Sequence, residues 1–232
     1  MDLKNEFISL ASHELKTPLT SLSLQLQILE KNVKKKNEKI LNFDSLERLS
    51  KISLTQINQI NHLIEDMLEV SKIGEGKISY QMSNTSLNEV IENATEIVAG
   101  HFIDVNIPLS IEGIDNLRLL ADQRRLVQVL VNLLINALKY GNGSPVTIKI
   151  STNNATGMVK IEVADKGLGI SKENQQKIFE RFVQINTHGK NAGLGLGLYL
   201  SKEVISAHSG IIYVESEINK GSKFIIELPL IH

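Results

Sequence analysis

VQVLVNLLINALKYG, residues 127–141, is the stretch on which the reading of this chain turns. Its apolar residues recur at threes and fours, which predicts a helix. Val129, Leu130, Leu133, Leu134 and Ala137 can bury one side of it. Asn132 and Asn136 stand one turn apart on another face, and Lys139 follows within a further turn. An amide oxygen is a hard neutral ligand suited to Mg2+, and an ammonium suits a polyphosphate. Asp122 caps the start of the helix, which continues to Tyr140. Two amides on a helix are more often a solvated stripe than a site, so the flanking sequence decides.

Downstream come VADKGLGI (163–170) and GLGLGLYL (193–200). Asp165 ends a predicted strand and meets Gly167 and Gly169, residues that permit tight turns and close backbone approach. A carboxylate held there can accept a hydrogen bond from an amino group such as the adenine N6. Gly193, Gly195 and Gly197 alternate before a helix, whose N-terminal N–H groups suit an anion. The run is not a dinucleotide fingerprint, because Leu198 stands where the third glycine would fall, and no P-loop occurs.

Around these motifs the second half alternates strands and helices. Strands are predicted at about Ile78–Met82, Val105–Ile111, Val146–Thr152, Val159–Ala164, Ile211–Glu217 and Ser222–Leu228, the last two joined by a turn at Asn219-Lys220-Gly221. Helices are predicted from the capping box Ser86-Leu87-Asn88-Glu89, over Lys172–Phe179 and over Leu196–Ala207. The pattern predicts an α+β two-layer sandwich.

The first half differs. Apolar periodicity predicts one helix from Leu3 to Val33 and a second from about Phe43 to Lys72, separated by the charged run Lys34–Lys39. The first carries two seams, one of Leu3, Phe7, Leu10, Leu24 and Ile28, the other of Leu15, Leu22, Leu26, Leu29 and Val33. The second carries Leu46, Leu49, Ile60, Leu63, Met67 and Val70, interrupted by Ser53 and Gln56. A single α-helical hairpin cannot bury both seams of its first helix, so a homodimer forming a four-helix bundle is expected. Gly74-Glu75-Gly76-Lys77 reads as a linker. The expected division is a hairpin over 1–75, a linker and first strand over 76–82, and the α+β domain over 83–232.

Composition narrows the function. The net charge of −1 argues against a general nucleic-acid binder. The absence of cysteine removes disulfides, thiol nucleophiles and Cys-based zinc sites. No apolar run is long enough to cross a bilayer, so no membrane contact is expected within these residues. The opening MDLKNEFISL is already in helical register, which reads as a piece cut from a longer protein. The fragment is expected to be cytoplasmic, with room ahead of it for a membrane-anchored sensor region.

The order of motifs resembles the catalytic core of sensor histidine kinases in two-component systems. NLLINALKY (132–140) is similar to that family's N box, DKGLGI (165–170) to its first glycine box, IFERF (178–182) to its F box and GLGLGL (193–198) to its second glycine box. SHELKTPLT (12–20) resembles the H box of the dimerisation and phosphoacceptor domain. The resemblance covers nearly the whole chain and implies the fold shared by gyrase, Hsp90, histidine kinase and MutL. It implies ATP and Mg2+ as ligands and a receiver domain of a response regulator as partner. Asn136 would ligate the metal, with Asn132 supporting the metal-phosphate end. Lys139 would contact phosphates, Tyr140 the adenine side, and Asp165 the adenine amino group beside Gly167 and Gly169. Phe179 and Phe182 would anchor a lid, Arg181 would meet the γ-phosphate, and Gly193, Leu194, Gly195, Leu196 and Gly197 would close over the nucleotide. Leu194 stands where Thr or Ser is common in the family, Ser209 where a second Gly is common, and the lid QINTHGKNAG (184–193) is this chain's own.

Asn132 occupies the place of the water-activating glutamate in the ATP-hydrolysing relatives, which points to another nucleophile. SHELKTPLT supplies one in His13. Zinc chemistry is disfavoured, because Thr17 stands where H-E-x-x-H needs its second histidine. Glu14 can accept one ring proton and act as the base while the other nitrogen attacks. Thr17 shares the face of His13, and the resemblance implies that its hydroxyl serves a phosphatase reaction on the phosphorylated partner. Pro18 removes the donor that would bond the Glu14 carbonyl, making a bend point beside the nucleophile. Competing readings are a degenerate scaffold that holds nucleotide and a gyrase-like ATPase; the filled chemical positions oppose the first and the missing glutamate the second.

Overall fold

The structure is a computed structural model and describes residues 3–35, 42–74, 78–113, 116–153, 155–185 and 194–231. It forms two compact units, one of two long helices and one of strands and helices. The charged turn expected at Lys34–Lys39 from Lys36 on, the linker residues Glu75 to Lys77, and Gly193 with the lid from Asn186 lie outside the described residues.

The first unit is an antiparallel hairpin of α1 (Leu3–Lys34) and α2 (Phe43–Gly74). The predicted seam of α2 faces inward: Leu63 and Val70 are buried, and Leu49, Ile60 and Met67 half-buried. Its polar interruption has a partner across the hairpin, where Ser53 Oγ donates to Gln25 Oε1 at 3.4 Å. On α1, Ala11 and Pro18 are buried and Leu15, Leu22 and Leu29 half-buried. Leu46, expected in the seam, is exposed. The helix runs unbroken through Pro18.

The second unit contains β1 (Ser83–Ser86), α3 (Leu87–Asp104), β2 (Leu109–Glu112), β3 (Arg118–Ala121) and α4 (Gln123–Tyr140). These are followed by β4 (Val146–Asn153), β5 (Met158–Ala164), α5 (Asn174–Lys177), α6 (Gly197–Ala207), β6 (Ile211–Glu217) and β7 (Gly221–Pro229). Five strands form a mixed sheet in the order β2-β4-β5-β7-β6, parallel only between β2 and β4. The cross-strand row Ile150–Ile161–Ile226 faces a layer of α3, α4 and α6. Leu133 and Leu134 of α4 are fully buried there, each burial contributing about 1.5–3 kcal/mol. This is the two-layer sandwich expected.

Four local expectations change. Ile78–Met82 belongs to no strand; the first strand lies further on, at Ser83–Ser86, antiparallel to β3. Tyr80 packs edge-on against His208, 5.6 Å between centroids, and Gln81 N donates to Asp122 Oδ2 at 2.9 Å. The strand placed over Val105–Ile111 starts only at Leu109, because α3 continues to Asp104. Ser86 is the N-cap of α3, yet its hydroxyl makes no capping bond. It is still the last paired residue of β1, and Leu87 N is satisfied by Leu117 O at 3.0 Å. The helix expected at Lys172–Phe179 shortens to Asn174–Lys177.

Candidate active site

α4 carries the first group of candidate residues. Its N-cap is as expected, Asp122 Oδ1 accepting from Arg125 N at 3.3 Å. The apolar side seats α4 on the sheet and leaves Asn132 and Asn136 half-buried, with Lys139 and Tyr140 exposed. Lys139 Nζ lies 5.2 Å from the Tyr140 ring centroid.

Asn132 is tied to α6. Its Nδ2 donates to Ser201 Oγ at 2.9 Å, and Ser201 Oγ donates to Gly197 O at 2.8 Å. A Cβ on Gly197 would stand 2.5 Å from Asn132 Oδ1. A side chain at the third glycine of the run would displace an amide on a neighbouring helix. Sequence reading missed Ser201; a polar residue one turn after Gly197, on the face shared with Val204 and Ile205, was the available signal.

Asp165 follows β5 and lies against the end of α4, its Cβ 3.4 Å from where a Gly141 side chain would start. Gly167 N donates to its Oδ1 at 2.8 Å. Burial raises the carboxyl above its ordinary pKa, opposed by the backbone N–H groups of Gly167 and Ser222. Gly167 has no room for a side chain because the Tyr140 carbonyl occupies the space, and Gly169, at φ +69°, is blocked by the Glu217 carbonyl. Leu168 N bonds Tyr140 O at 3.1 Å and Leu168 O accepts from Asn219 N at 2.7 Å. The glycines thus strap the Asp165 loop between α4 and the β6–β7 hairpin, which holds the carboxylate beside the helix that carries Asn136.

The IFERF residues divide. Phe179 is core, edge-on to Phe224 with centroids 6.4 Å apart. Phe182 is half-buried at φ +66°, and its N–H donates to Gly195 O at 3.1 Å. Gly195, at φ +67°, would place a Cβ 2.7 Å from Val183 O. The two ends of the expected lid are therefore joined at Phe182 and Gly195. Leu194 and Leu196 are buried. Exposed Arg181 donates from Nη2 to Tyr199 Oη at 2.5 Å. Tyr199, in the first turn of α6, is a second residue the sequence did not single out.

On the hairpin, His13 is 78% exposed and Glu14 only 16%; Nδ1 lies 3.7 Å from Glu14 Oε1, close without a hydrogen bond. Thr17 Oγ1 donates to His13 O at 3.3 Å, the carbonyl one turn back. Pro18 is buried beside them.

A two-unit chain with this site has known counterparts. Residues 3–76 match the family model of the His Kinase A (phospho-acceptor) domain. Residues 121–232 match that of the histidine kinase-, DNA gyrase B- and HSP90-like ATPase. The chain is 32% identical to the sensor protein RprX of Bacteroides fragilis over 99% of its own length, and spans 44% of that protein. It is 32% identical to the catalytic domain of histidine kinase ThkA, covering 95% of that structure and 64% of this chain with a TM-score of 0.54. The structure of ThkA in complex with the response regulator protein TrrA shares the fold over 97% of this chain and 61% of that one, with a TM-score of 0.63 at 24% identity. A phosphoacceptor hairpin followed by an ATP-binding domain of this kind places the chain, plainly, in the sensor histidine kinase family.

Proposed function

We propose that the chain phosphorylates itself on His13 from ATP and passes the phosphoryl group to an aspartate of a response regulator receiver domain. The observation that carries this is the disposition of His13: Nδ1 faces Glu14 and the exposed ring leaves Nε2 to solvent. The Nε2 lone pair forms the bond to the γ-phosphorus as the bond from that phosphorus to the β–γ bridging oxygen breaks. ADP leaves, and the Nδ1 proton passes to Glu14. The aspartate of the receiver then takes the phosphoryl group and restores the imidazole.

The donor set of the second unit suits a nucleotide. Asp165 would accept from the adenine amino group, with Gly167, Gly169 and Tyr140 forming that end. Asn132, Asn136, Lys139, Phe182 and the segment Gly193, Leu194, Gly195, Leu196 and Gly197 would hold the phosphate end, and Arg181 would meet the γ-phosphate during transfer. Among the described residues no group of three or more His, Asp or Glu is placed to hold a metal. Asn136 would hold a Mg2+ ion through its amide oxygen, and the ion would neutralise charge developing on the leaving group.

The working unit is a homodimer. Leu19, Leu26 and Val33 of α1, and Leu54, Ile57, Ile64 and Leu68 of α2, form exposed stripes at helical spacing on the hairpin. A second hairpin would cover them in a four-helix bundle. In division of labour, residues 1–75 take the phosphoryl group and residues 83–232 bind ATP. Thr17 would position water on the phosphorylated receiver once its hydroxyl leaves the His13 carbonyl. Loss of receiver dephosphorylation in Thr17→Ala at unchanged kinase activity is the expected result; no loss rejects that role.

Incubation with γ-labelled ATP and Mg2+ tests the whole. Wild type should gain acid-labile, alkali-stable label and His13→Gln none. Nucleotide binding without label on wild type would reject the kinase reading in favour of a scaffold.

A further inference from the structure

Asn132 is half-buried and its amide could in principle face either way. Ser201 fixes the choice. This hydroxyl is 3% exposed and has one proton, which it gives to Gly197 O at 2.8 Å. It can therefore only accept from Asn132, so the amide nitrogen faces Ser201 and does so at 2.9 Å. The oxygen is left as the other terminus, against the bare Cα of Gly197. An amide turned the other way would set its oxygen against an oxygen that has no proton to offer.

We propose that Ser201 is a positioning residue: it orients the Asn132 carboxamide so that an acceptor, rather than a donor, is presented to the metal-bearing phosphate end of the nucleotide. Two independent observations support it. The serine is buried on a helix whose other buried members are Tyr199, Leu200, Val204 and Ile205, so its hydroxyl adds nothing to apolar packing. Asn132 Oδ1 lies beside Gly197, 2.5 Å from where a Cβ there would stand. The neutral oxygen so presented suits a hydrated divalent cation, whereas an NH2 group in its place would repel one. The proposal rests on the reading of Asn132 as part of the metal-phosphate end.

The test is a double-mutant cycle on the whole chain with Ser201→Ala, Asn132→Ala and both together. Binding of a fluorescent ATP analogue is titrated with Mg2+, and thermal unfolding is followed alongside. Ser201→Ala should raise the Mg2+ concentration for half-maximal binding by about three- to tenfold, the size of one lost hydrogen bond. It should leave metal-free binding within about twofold. In the Asn132→Ala background, Ser201→Ala should add nothing, because it acts only through that amide. In 15N-resolved NMR spectra, the Asn132 side-chain NH2 pair should be shifted and slow to exchange in wild type and lose both properties in Ser201→Ala.

A Ser201→Ala chain with unchanged Mg2+ dependence, beside an Asn132→Ala chain that has lost it, overturns the proposal and leaves the reading of Asn132 standing. A further loss of similar size in the Asn132→Ala background also overturns it, since Ser201 would then act through packing. An Asn132→Ala chain with the Mg2+ dependence of wild type overturns the reading of Asn132 and the proposal with it.

Discussion

Arg181 lies across Tyr199, its Nη2 donating to the phenol oxygen at 2.5 Å and its guanidinium carbon 4.6 Å from the ring centroid. The tyrosine is 8% exposed and anchored in the first turn of α6, directly after the glycine run. An otherwise exposed arginine is thereby held beside the glycine run by both a hydrogen bond and a cation–π contact. Arg181→Ala should lower the rate of His13 labelling by about a hundredfold or more, as expected for a cation meeting transferring phosphate. Nucleotide affinity should change little. Arg181→Lys should not restore the rate, because an ammonium cannot reproduce the planar fork. Single-turnover labelling with separately measured ATP binding checks this; a loss confined to affinity rejects the role.

Asp165 predicts a pH dependence with two opposite signs. Burial raises its folded pKa above the ordinary carboxylate value. In the free chain the protonated form is favoured by folding, so its contribution to stability is present below the unfolded pKa and is lost as pH rises through the raised folded value. Nucleotide binding runs the other way, since only the carboxylate can accept both the Gly167 N–H and an incoming amino group. Affinity for ATP should fall as pH falls through the raised pKa. Asp165→Asn should weaken binding by roughly 10–100-fold, one hydrogen bond to a charged acceptor, and flatten the acid limb. Calorimetric titration between neutral and acid pH measures both; an unchanged acid limb in Asp165→Asn would assign it to another group.

The hairpin predicts its own association. Ile64 is 42% exposed on the stripe it shares with Leu54, Ile57 and Leu68. Aspartate there would place an unpaired carboxylate at the centre of a bundle, at a cost of several kcal/mol. Ile64→Asp should shift the chain from dimer to monomer in sedimentation velocity and leave ATP binding by the second unit intact. A variant that sediments as wild type would show that this stripe is not the interface.

What the sequence made legible follows from how each feature is encoded. The helices of the hairpin and α4 were readable because apolar spacing over several turns leaves little choice of conformation. Asp122 capped as expected because an N-cap is a local matter. Ile78–Met82 misled because the segment is held by Tyr80 against His208 and by Gln81 N on Asp122 rather than paired in a sheet. β3 was missed because Arg118–Ala121 is short and paired with a strand 32 or more residues earlier. The site motifs stood out through their glycines, yet the reason for those glycines was hidden. Gly167 and Gly169 are fixed by the Tyr140 and Glu217 carbonyls, and Gly197 lies against the Asn132 amide, all remote in sequence. Ser201 and Tyr199 were not singled out for the same cause: each makes its contact with a residue remote in sequence, Asn132 and Arg181.

Ser209 offers a test that does not depend on function. It sits at φ +58° after α6, and its N–H bonds Ser206 O at 3.0 Å while Gly210 N bonds Ile205 O at 3.0 Å. This is a Schellman ending with the left-handed residue at Ser209, the position where glycine is most at ease. Of the five non-glycine residues with positive φ among the described residues, three are asparagine, whose amide tolerates this region, and Ser209 has no such allowance. The left-handed backbone costs serine about 1–2 kcal/mol, and glycine would lose about 0.5–1 kcal/mol of that gain to its greater freedom when unfolded. Ser209→Gly should therefore stabilise the second unit by about 0.5–1 kcal/mol and raise its Tm by about 1–4 °C. Asn219→Gly, at φ +60° in the β6–β7 turn, should gain less. Differential scanning calorimetry of the two variants decides it: a Ser209→Gly chain no more stable than wild type would mean that the serine hydroxyl compensates the backbone strain.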